Sequence, residues 1–375
     1  NPLPADGNIL VEFPRNFTSI NCTAALATGV DGGLDVWVTS DGYTVRVRRA
    51  GDGTEVQAGA EITLELLDGI KNQEFEGLSA VFPRVKTTLA DTEVAIDESS
   101  GDFNRAGRPA AVLFTPGSFG QPPTVELASR VAGHEGAATV NLSLSNPLPA
   151  DGNILVEFPR NFTSINCTAA LATGVDGGLD VWVTPDGYTV RVRRAGDGTE
   201  VQAGAEITLE LLDGIKNQEF EGLSAVFPRV KTTLADTEVA VDSALEGLDT
   251  PPFFFVAAPL SSAESRILYD VAGMETSITF VFTTVNPLPQ RAVLCIEFPI
   301  GFTAASPTLA VSAELGILAV VGLYPVVVER VGSGDLLPGR TNISLTLSSV
   351  INRGSAGDTG SFNLTTYVES SLKNR

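Results

Sequence analysis

The chain is poor in the residues that most often carry chemistry: one histidine, one methionine and three cysteines in 375 residues. The single histidine, His134, sits in a VAGHEG turn whose later counterpart reads VAGMET, with Met274 in its place. A histidine that its own repeat discards reads as a surface residue. No Gly-x-Ser-x-Gly elbow and no phosphate loop occurs, and the acids that a two-carboxylate glycosidase would need lie mainly in turns and on polar strand faces. The expectation is therefore a protein that is not an enzyme and needs no cofactor. Cys22, Cys167 and Cys295 are too few for a disulfide framework and lack metal-ligand spacing. Cys22 and Cys167 hold one position in two copies of a repeat, Pro307 holds it in a third, and an intermolecular bridge through either thiol stays open. Cys295 replaces Leu10 and Leu155 on a strand and reads as a buried apolar residue.

Basic residues are scarce as well. Twenty-four Lys and Arg against 45 Asp and Glu give a net charge of −21, which repels nucleic acid and anionic lipid and keeps a crowded protein dispersed. The longest apolar run, residues 315–328, has 14 residues and contains Pro325, against the roughly 20 that a membrane helix requires. No membrane span is expected. No signal peptide is visible at Asn1, so the chain is read as the ordered part of something longer. What is plentiful is apolar content, 43%, enough for several separate cores.

Internal repetition decides the architecture. Residues 1–97 recur as 146–242 with two changes, Ser40 to Pro185 and Ile96 to Val241. A diverged third copy opens at Asn286: NPLPQRAVLCIEFPIGFT follows NPLPADGNILVEFPRNFT, and LPGRTNISLTLSSVINR follows QAGAEITLELLDGIKNQ. Within a copy, apolar residues alternate with polar ones. Ile9, Val11 and Phe13 share a face, as do Leu34, Val36 and Val38, then Tyr43, Val45 and Val47, then Ile62, Leu64 and Leu66, with Glu12, Asp35, Thr44, Arg46, Arg48, Glu61, Thr63 and Glu65 opposite. Asp-Gly pairs at 6–7, 31–32, 41–42, 52–53 and 68–69 punctuate these runs and suit tight turns. Short strands with turn signals about every ten residues predict an all-β chain of three tandem antiparallel sandwiches. The one helix-like stretch is 261–270, with Ser261 and Glu264 as a capping pair, although its counterpart 122–130 reads as strand.

On these motifs, NPLP, ADG, NILVEFP, AGAEITLELLDGIKNQ and KTTLADTEVAID, the chain resembles the immunoglobulin-like repeats of large surface proteins in protists, algae and some bacteria. More narrowly it is similar to subunits of extracellular glycoprotein filaments such as flagellar hairs (mastigonemes). The resemblance implies immunoglobulin-like sandwiches in a cell-surface setting and carries over no catalytic residue. The expected units are repeat 1 at 1–97, lacking its first strand, linker plus repeat 2 at 98–242, and linker plus repeat 3 at 243–375.

Seven sequons are candidate N-glycan acceptors: Asn16, Asn21, Asn141, Asn161, Asn166, Asn342 and Asn363. Asn141, Asn342 and Asn363 alternate against apolar neighbours and should face solvent, while Asn21 and Asn166 are the weakest because a cysteine occupies the middle position. Asp31, Asp35 and Asp41 are the calcium candidates, repeated at Asp176, Asp180 and Asp186; they lack the Asp-x-Asp-x-Asp spacing of a dedicated loop, and turn chemistry explains them without a metal. Gln121-Pro122-Pro123 and residues 250–256, TPPFFFV, suit extended spacers, with the triple Phe laid on a sandwich as an extra strand. Residues 112–114 and 253–256 should both be packed.

Finally, residues 138–145 precede the second copy with Val140, Leu142 and Leu144 on one face, and 277–285 precede the third with Ile278, Phe280 and Phe282. No such strand precedes Asn1. The slot in the first copy is expected to take an apolar strand from outside, from a neighbouring subunit or an adjoining stretch of a longer chain. Together these readings point to a secreted or cell-surface structural subunit whose partners are further copies of itself, head to tail, and glycans. The alternative is an adhesin or lectin stalk.

Overall fold

The computed structural model describes residues 1–78, 83–90, 94–99, 113–224, 227–235, 237, 239–244, 252–311, 318–323, 325–331 and 336–368. The chain is all-β: every regular element among the described residues is a strand, and these strands pair antiparallel, with isolated parallel bridges only at Gly117–Asp242 and Val131–Val256 among the described residues. Three separate clusters of buried apolar side chains follow the three copies of the repeat.

The second copy has the full pattern. One sheet runs Leu179–Val183, Thr189–Arg194, Asn153–Glu157, Arg229–Thr233 and Ala240–Ser243. The facing sheet runs Gln121–Leu127, Glu135–Ser143, Glu206–Lys216 and Ser164–Ile165, with Ala170–Thr173 also on Glu206–Lys216. Val140, Leu142, Ile207 and Leu209 from one sheet meet Ile154, Val156, Val190 and Val192 from the other in one core. The alternation read from the sequence is what builds it, because successive side chains point to opposite faces of a strand.

The third copy repeats the plan with Ser261–Ile267, Glu275–Thr283, Asn342–Ile351 and Thr303–Val311 against Leu318–Leu323, Val326–Arg330, Ala292–Glu297 and Asn363–Val368. Residues 261–270 are thus not a helix. Their capping pair is outweighed by cross-strand pairing of Ser265 with Phe280 and Ile267 with Ile278, next to the strand that supplies the core. Ser262, at φ 51°, sits in the bulge between Ser261 and Glu264, which matches the bulge between Gln121 and Thr124.

The first copy keeps one five-stranded sheet: Ala95–Glu98, Arg84–Thr88, Asn8–Glu12, Thr44–Arg49 and Leu34–Val38. Its facing sheet is reduced to two fragments, Ala25–Thr28 with Thr63–Leu66, and Ser19–Ile20 with Ile70–Lys71. Among the Asp-Gly turns of this copy, Gly32, Gly42 and Gly69 take positive φ. Gly53 is required by close approach instead, since a Cβ there would lie 2.5 Å from the Asp31 carbonyl oxygen.

Candidate assembly interface

The NPLP motif is a clamp point. Leu148 exchanges backbone bonds with Val201 at 2.8 and 3.0 Å, and the buried guanidinium of Arg194 donates to the carbonyls of Leu148 (3.1 Å) and Pro149 (2.7 Å) and to Asp176 Oδ1 (2.9 Å). Arg49 does the same for Leu3, Pro4 and Asp31, and Arg330 donates to Leu288 at 3.0 Å. One arginine per copy therefore ties the motif to the end of a core strand.

The segment ahead of each of the last two copies is a two-stranded hairpin, not a single strand. In the second copy, Glu135–Ser143 pairs with Glu206–Lys216 from Glu135 opposite Lys216 to Ser143 opposite Glu206, while Gln121–Leu127 covers its other edge. The hairpin turn is held by Asn217, whose Nδ2 donates to the Ser129 and Val131 carbonyls at 2.9 and 2.8 Å, while its amide donates to His134 O at 2.9 Å. In the third copy Asn352 Nδ2 donates to Tyr269 and Val271 at 2.7 and 2.9 Å, and its amide to Met274 O at 3.0 Å.

In the first copy, no described residue is seated along Thr63–Leu66 on the side away from Ala25–Thr28. Ile207, Leu209 and Leu211 are 1%, 0% and 0% exposed in the second copy, yet their counterparts Ile62, Leu64 and Leu66 are only half-buried. The long strand Glu206–Lys216 corresponds here to two short pieces, Thr63–Leu66 and Ile70–Lys71. Asn217 and Asn352 are 2% and 5% exposed, whereas Asn72, at the matching position, is exposed.

Successive copies are laced together. Phe114 packs edge-on against Phe17 in the first core (5.6 Å) while Leu113–Phe114 pairs with Gly77–Leu78; residue 112, expected beside it, lies outside the described residues. Gly117 then joins the second copy, donating to Val241 O and accepting from Ser243 N. A Cβ at Gly117 would sit 2.5 Å from Asp242 Oδ1. Asp242 is fully buried and accepts from the amides of Ser145 and Asn146 and from Asn146 Nδ2. Burial pushes its pKa up, against the downward pull of those donors. Glu76 adds a clasp, donating its amide to Ala240 O (2.8 Å) and accepting from Ala240 N on Oε1 (2.9 Å). At the next junction Phe253 and Phe255 are buried against Phe162 while Phe254 stays exposed, so the triple Phe does form an added strand, Phe254–Phe255 on Gly222–Leu223. Asn286 Nδ2 donates to Ala132 O in the turn of the preceding hairpin. Of the residues expected to be packed, Phe114, Phe253 and Phe255 are at least partly buried, whereas Leu113, Phe254 and Val256 are exposed, because alternate side chains of so short a strand face away from the core. The clasps were not legible in the sequence.

Among the sequons, Asn21, Asn166, Asn342 and Asn363 are exposed. Asn16 and Asn161 are half-buried, and each donates its amide to Gln73 or Gln218. Asn141 lies between two neighbouring strands, donating to Thr124 and accepting from Thr208. The cysteine-containing sequons are thus as accessible as Asn342 and Asn363, while Asn141, expected to face solvent, is half-buried because strands lie on both sides of it.

Asp31, Asp35 and Asp41 are not gathered into a cation site. Asp31 accepts from Arg49 and from Thr54 N and Oγ1, Asp41 accepts from Thr39, Tyr43 and Thr44, and Asp35 is exposed on Leu34–Val38. Among the described residues no group of three or more His, Cys, Asp or Glu could hold a metal. The backbone and side-chain bonds of Thr54 lower the Asp31 pKa, and the bond from the Thr39 hydroxyl leads those that lower Asp41. Cys22 and Cys167 are buried, each donating to a carbonyl two residues on, and burial raises both thiol pKa values. Cys295 is half-buried, less covered than the apolar position expected, and burial raises its pKa too.

A concave patch recurs on the outer face of the five-stranded sheet: about 450 Å³ in the first copy, with Glu12, Trp37, Arg46, Arg84 and Lys86 along it, and about 540 Å³ in the second, with Arg191, Arg229 and Lys231. Arg46 and Arg191 stack over Trp37 and Trp182, each 5.7 Å from the ring centre.

No protein-family model matches the chain, and no curated protein matches it. Among solved structures it is similar to a putative membrane anchored protein from Corynebacterium diphtheriae, at 9% identity over 98% of this chain and 78% of that one, TM-score 0.20. It is also similar to Escherichia coli alpha-2-macroglobulin activated by porcine elastase, at 15% identity over 97% of this chain and 33% of that one, TM-score 0.19. At such scores neither carries an argument. No helix among the described residues is long and apolar enough to cross a membrane, which leaves β-barrel proteins unaddressed.

Proposed function

We propose that the chain is a structural subunit of an extracellular, glycosylated filament or surface fibre that assembles end to end by strand donation into immunoglobulin-like sandwiches. The observation that carries this reading is that two copies alike at all but two of 97 positions are laced to each other through Glu76, Ala240 and Gly117. Near-identity also gives both copies the same outer surface, which suits a regular repeating assembly. No catalytic residue, metal or cofactor is assigned; N-linked glycans are assigned to the exposed Asn21, Asn166, Asn342 and Asn363 first. Electron microscopy of the purified chain tests the reading: continuous fibres are expected, and single rods at every concentration would sink it. Glycopeptide mapping should find at least two of those four sites occupied.

The recurring Trp-Arg patch favours one second reading, a stalk that binds carbohydrate. Sugars stack on exposed indole faces, and binding on a glycan array that is lost in the Trp37→Ala/Trp182→Ala double variant, without fibres, would select it.

A further inference from the structure

We infer that copies of this chain associate side by side, the tryptophan-bearing basic face of one sandwich docking on the acidic outer face of the opposite sheet in another chain. The inference goes beyond the end-to-end reading and does not need it, since both faces belong to the flanks of the sandwich.

The two sheets of a sandwich turn unlike faces to solvent. Residues 1–97 hold seven Lys and Arg against 15 Asp and Glu. Four of the seven, Arg46, Arg48, Arg84 and Lys86, point outward from the five-stranded sheet, because Val45, Val47 and Val85 between them pack into the core. One row across that face reads Trp37, Arg46, Leu10 and Lys86 in register, repeated in the second copy as Trp182, Arg191, Leu155 and Lys231. Glu12, Asp35 and Glu98 share the face in the first copy; in the second, Ser243 replaces the last of them opposite Lys231, which leaves the row itself basic. Leu10 and Leu155 are buried, whereas Trp37 and Trp182 stay 37% and 38% exposed. Arginine stacked on tryptophan across two strands would steady a sheet wherever it lay, and by itself implies no partner. The opposite face supplies one. There the second copy carries the row Leu171, Glu210, Thr139 and Glu126, with Glu206 further along the same face. Leu171 is 59% exposed, and all three glutamates are exposed. Leu26 and Glu65 repeat the leading pair in the first copy. An indole among cations thus meets its complement in a leucine among carboxylates.

The third copy lacks both halves of the match. Gly322, Val327 and Thr365 stand for Trp37, Arg46 and Lys86, and on the other face Ala310, Thr346 and Arg266 stand for Leu171, Glu210 and Glu126. The two faces disappear together, as faces that serve each other would. The exposed sequons Asn363 and Asn342 take the places of Arg84 and Glu61 on those faces, where a glycan would hold a neighbour off. Because the two faces differ, the contact is heterologous and can repeat from chain to chain, and two copies per chain reinforce it through effective concentration. Ion pairs enclosed in a contact are screened less than the long-range repulsion between chains of net charge −21, so the contact is compatible with physiological salt.

Trp37 and Trp182 are the two tryptophans of the chain, so the intrinsic fluorescence of the whole chain reads this face alone. At about 0.15 M sodium chloride, acrylamide quenching should fall at least twofold as the chain is concentrated, with the sedimentation coefficient rising in step. Lys86→Glu/Lys231→Glu and Glu65→Lys/Glu126→Lys/Glu210→Lys should each abolish both changes, and mixing the two variants should restore them, which also shows that both are folded. Quenching that is the same at every concentration, variants that associate like the wild type, or a mixture that stays monomeric would each overturn the inference. Glycan binding lost in Trp37→Ala/Trp182→Ala while self-association persists would overturn it too and give the face to carbohydrate. Side-by-side association without fibres would remove the filament and keep this contact; fibres whose bundling ignores the charge reversals would do the reverse.

Discussion

At the scale of single residues, the buried arginine is the most sharply testable position. Arg194 is 1% exposed and serves two carbonyls of NPLP as well as Asp176. A buried acceptor left without a donor costs about 1–3 kcal/mol, so Arg194→Met, which keeps much of the volume, should destabilise the second copy by about 2–5 kcal/mol, read as a lowered denaturation midpoint for that copy alone. Wild-type stability in the variant would mean that the clamp contributes nothing. Asp186 gives a second test. Burial works to raise its pKa, but bonds from Thr184 Oγ1, Tyr188 N and both donors of Thr189 outweigh it and bring the value down to about 2. With a folded pKa below the unfolded value of about 3.9, the group stabilises the fold fully above that unfolded value. The contribution is lost as pH falls through the folded one. A carboxyl titration followed by NMR should place the Asp186 midpoint near 2; a midpoint near 4 would mean that the Thr184-Thr189 turn is not closed in solution.

At the scale of elements, much was legible because period-2 alternation and Asp-Gly punctuation act locally. Val45, Val47, Ile9 and Val11 face the core as their spacing requires, and the half-exposed alternation of Leu34–Val38 fits its place at the sheet edge. The hairpin was only half legible. Its outer strand Ser261–Ile267 is exposed along nearly its whole length, so no apolar period marks it, and only pairing with Glu275–Thr283 fixes it as a strand. The asparagine clamps were hidden because a loop asparagine looks alike whether it meets water or a carbonyl. Sequon accessibility failed for a similar reason: the bonds from Asn16 to Gln73 and from Asn161 to Gln218 join residues 57 apart in the chain. The duplicated copies also provide an internal control for the hairpin. Their own sequences are nearly the same, so a stability difference between them reports chiefly what is seated beside them. Burying an aliphatic side chain is worth roughly 1.5–3 kcal/mol, and Ile62, Leu64 and Leu66 are less completely buried than Ile207, Leu209 and Leu211. Calorimetry on the dilute chain should therefore resolve a transition for the first copy below that of the second, with single substitutions at Val47 and Val192 assigning the two. Coincident melting would show that the hairpin adds little.

At the scale of the whole molecule, the proposed assembly must contend with charge. A chain of net charge −21 meets another of the same sign, and the clasp residues Glu76 and Asp242 show that acids also lie close to the junctions. In the proposed assembly the attraction between subunits, through apolar side chains and main-chain bonds, would be short-ranged, whereas the repulsion reaches about 30 Å at 0.01 M salt, about 10 Å at 0.1 M and about 8 Å at 0.15 M. If subunits join in this way, two ends repel at low salt before they can dock, and at about 0.15 M the repulsion has decayed by the distance at which docking would begin. Hydrophobic docking itself weakens little over that range, so the salt effect should fall mainly on the association rate, as it does for like-charged encounters. Growth followed by light scattering should be at least tenfold faster at 0.15 M than at 0.01 M sodium chloride, with dissociation on dilution changing much less. Growth that slows as salt rises would mean that opposite charges hold the subunits together, and the strand-in-slot junction would have to be given up for an ion-paired one.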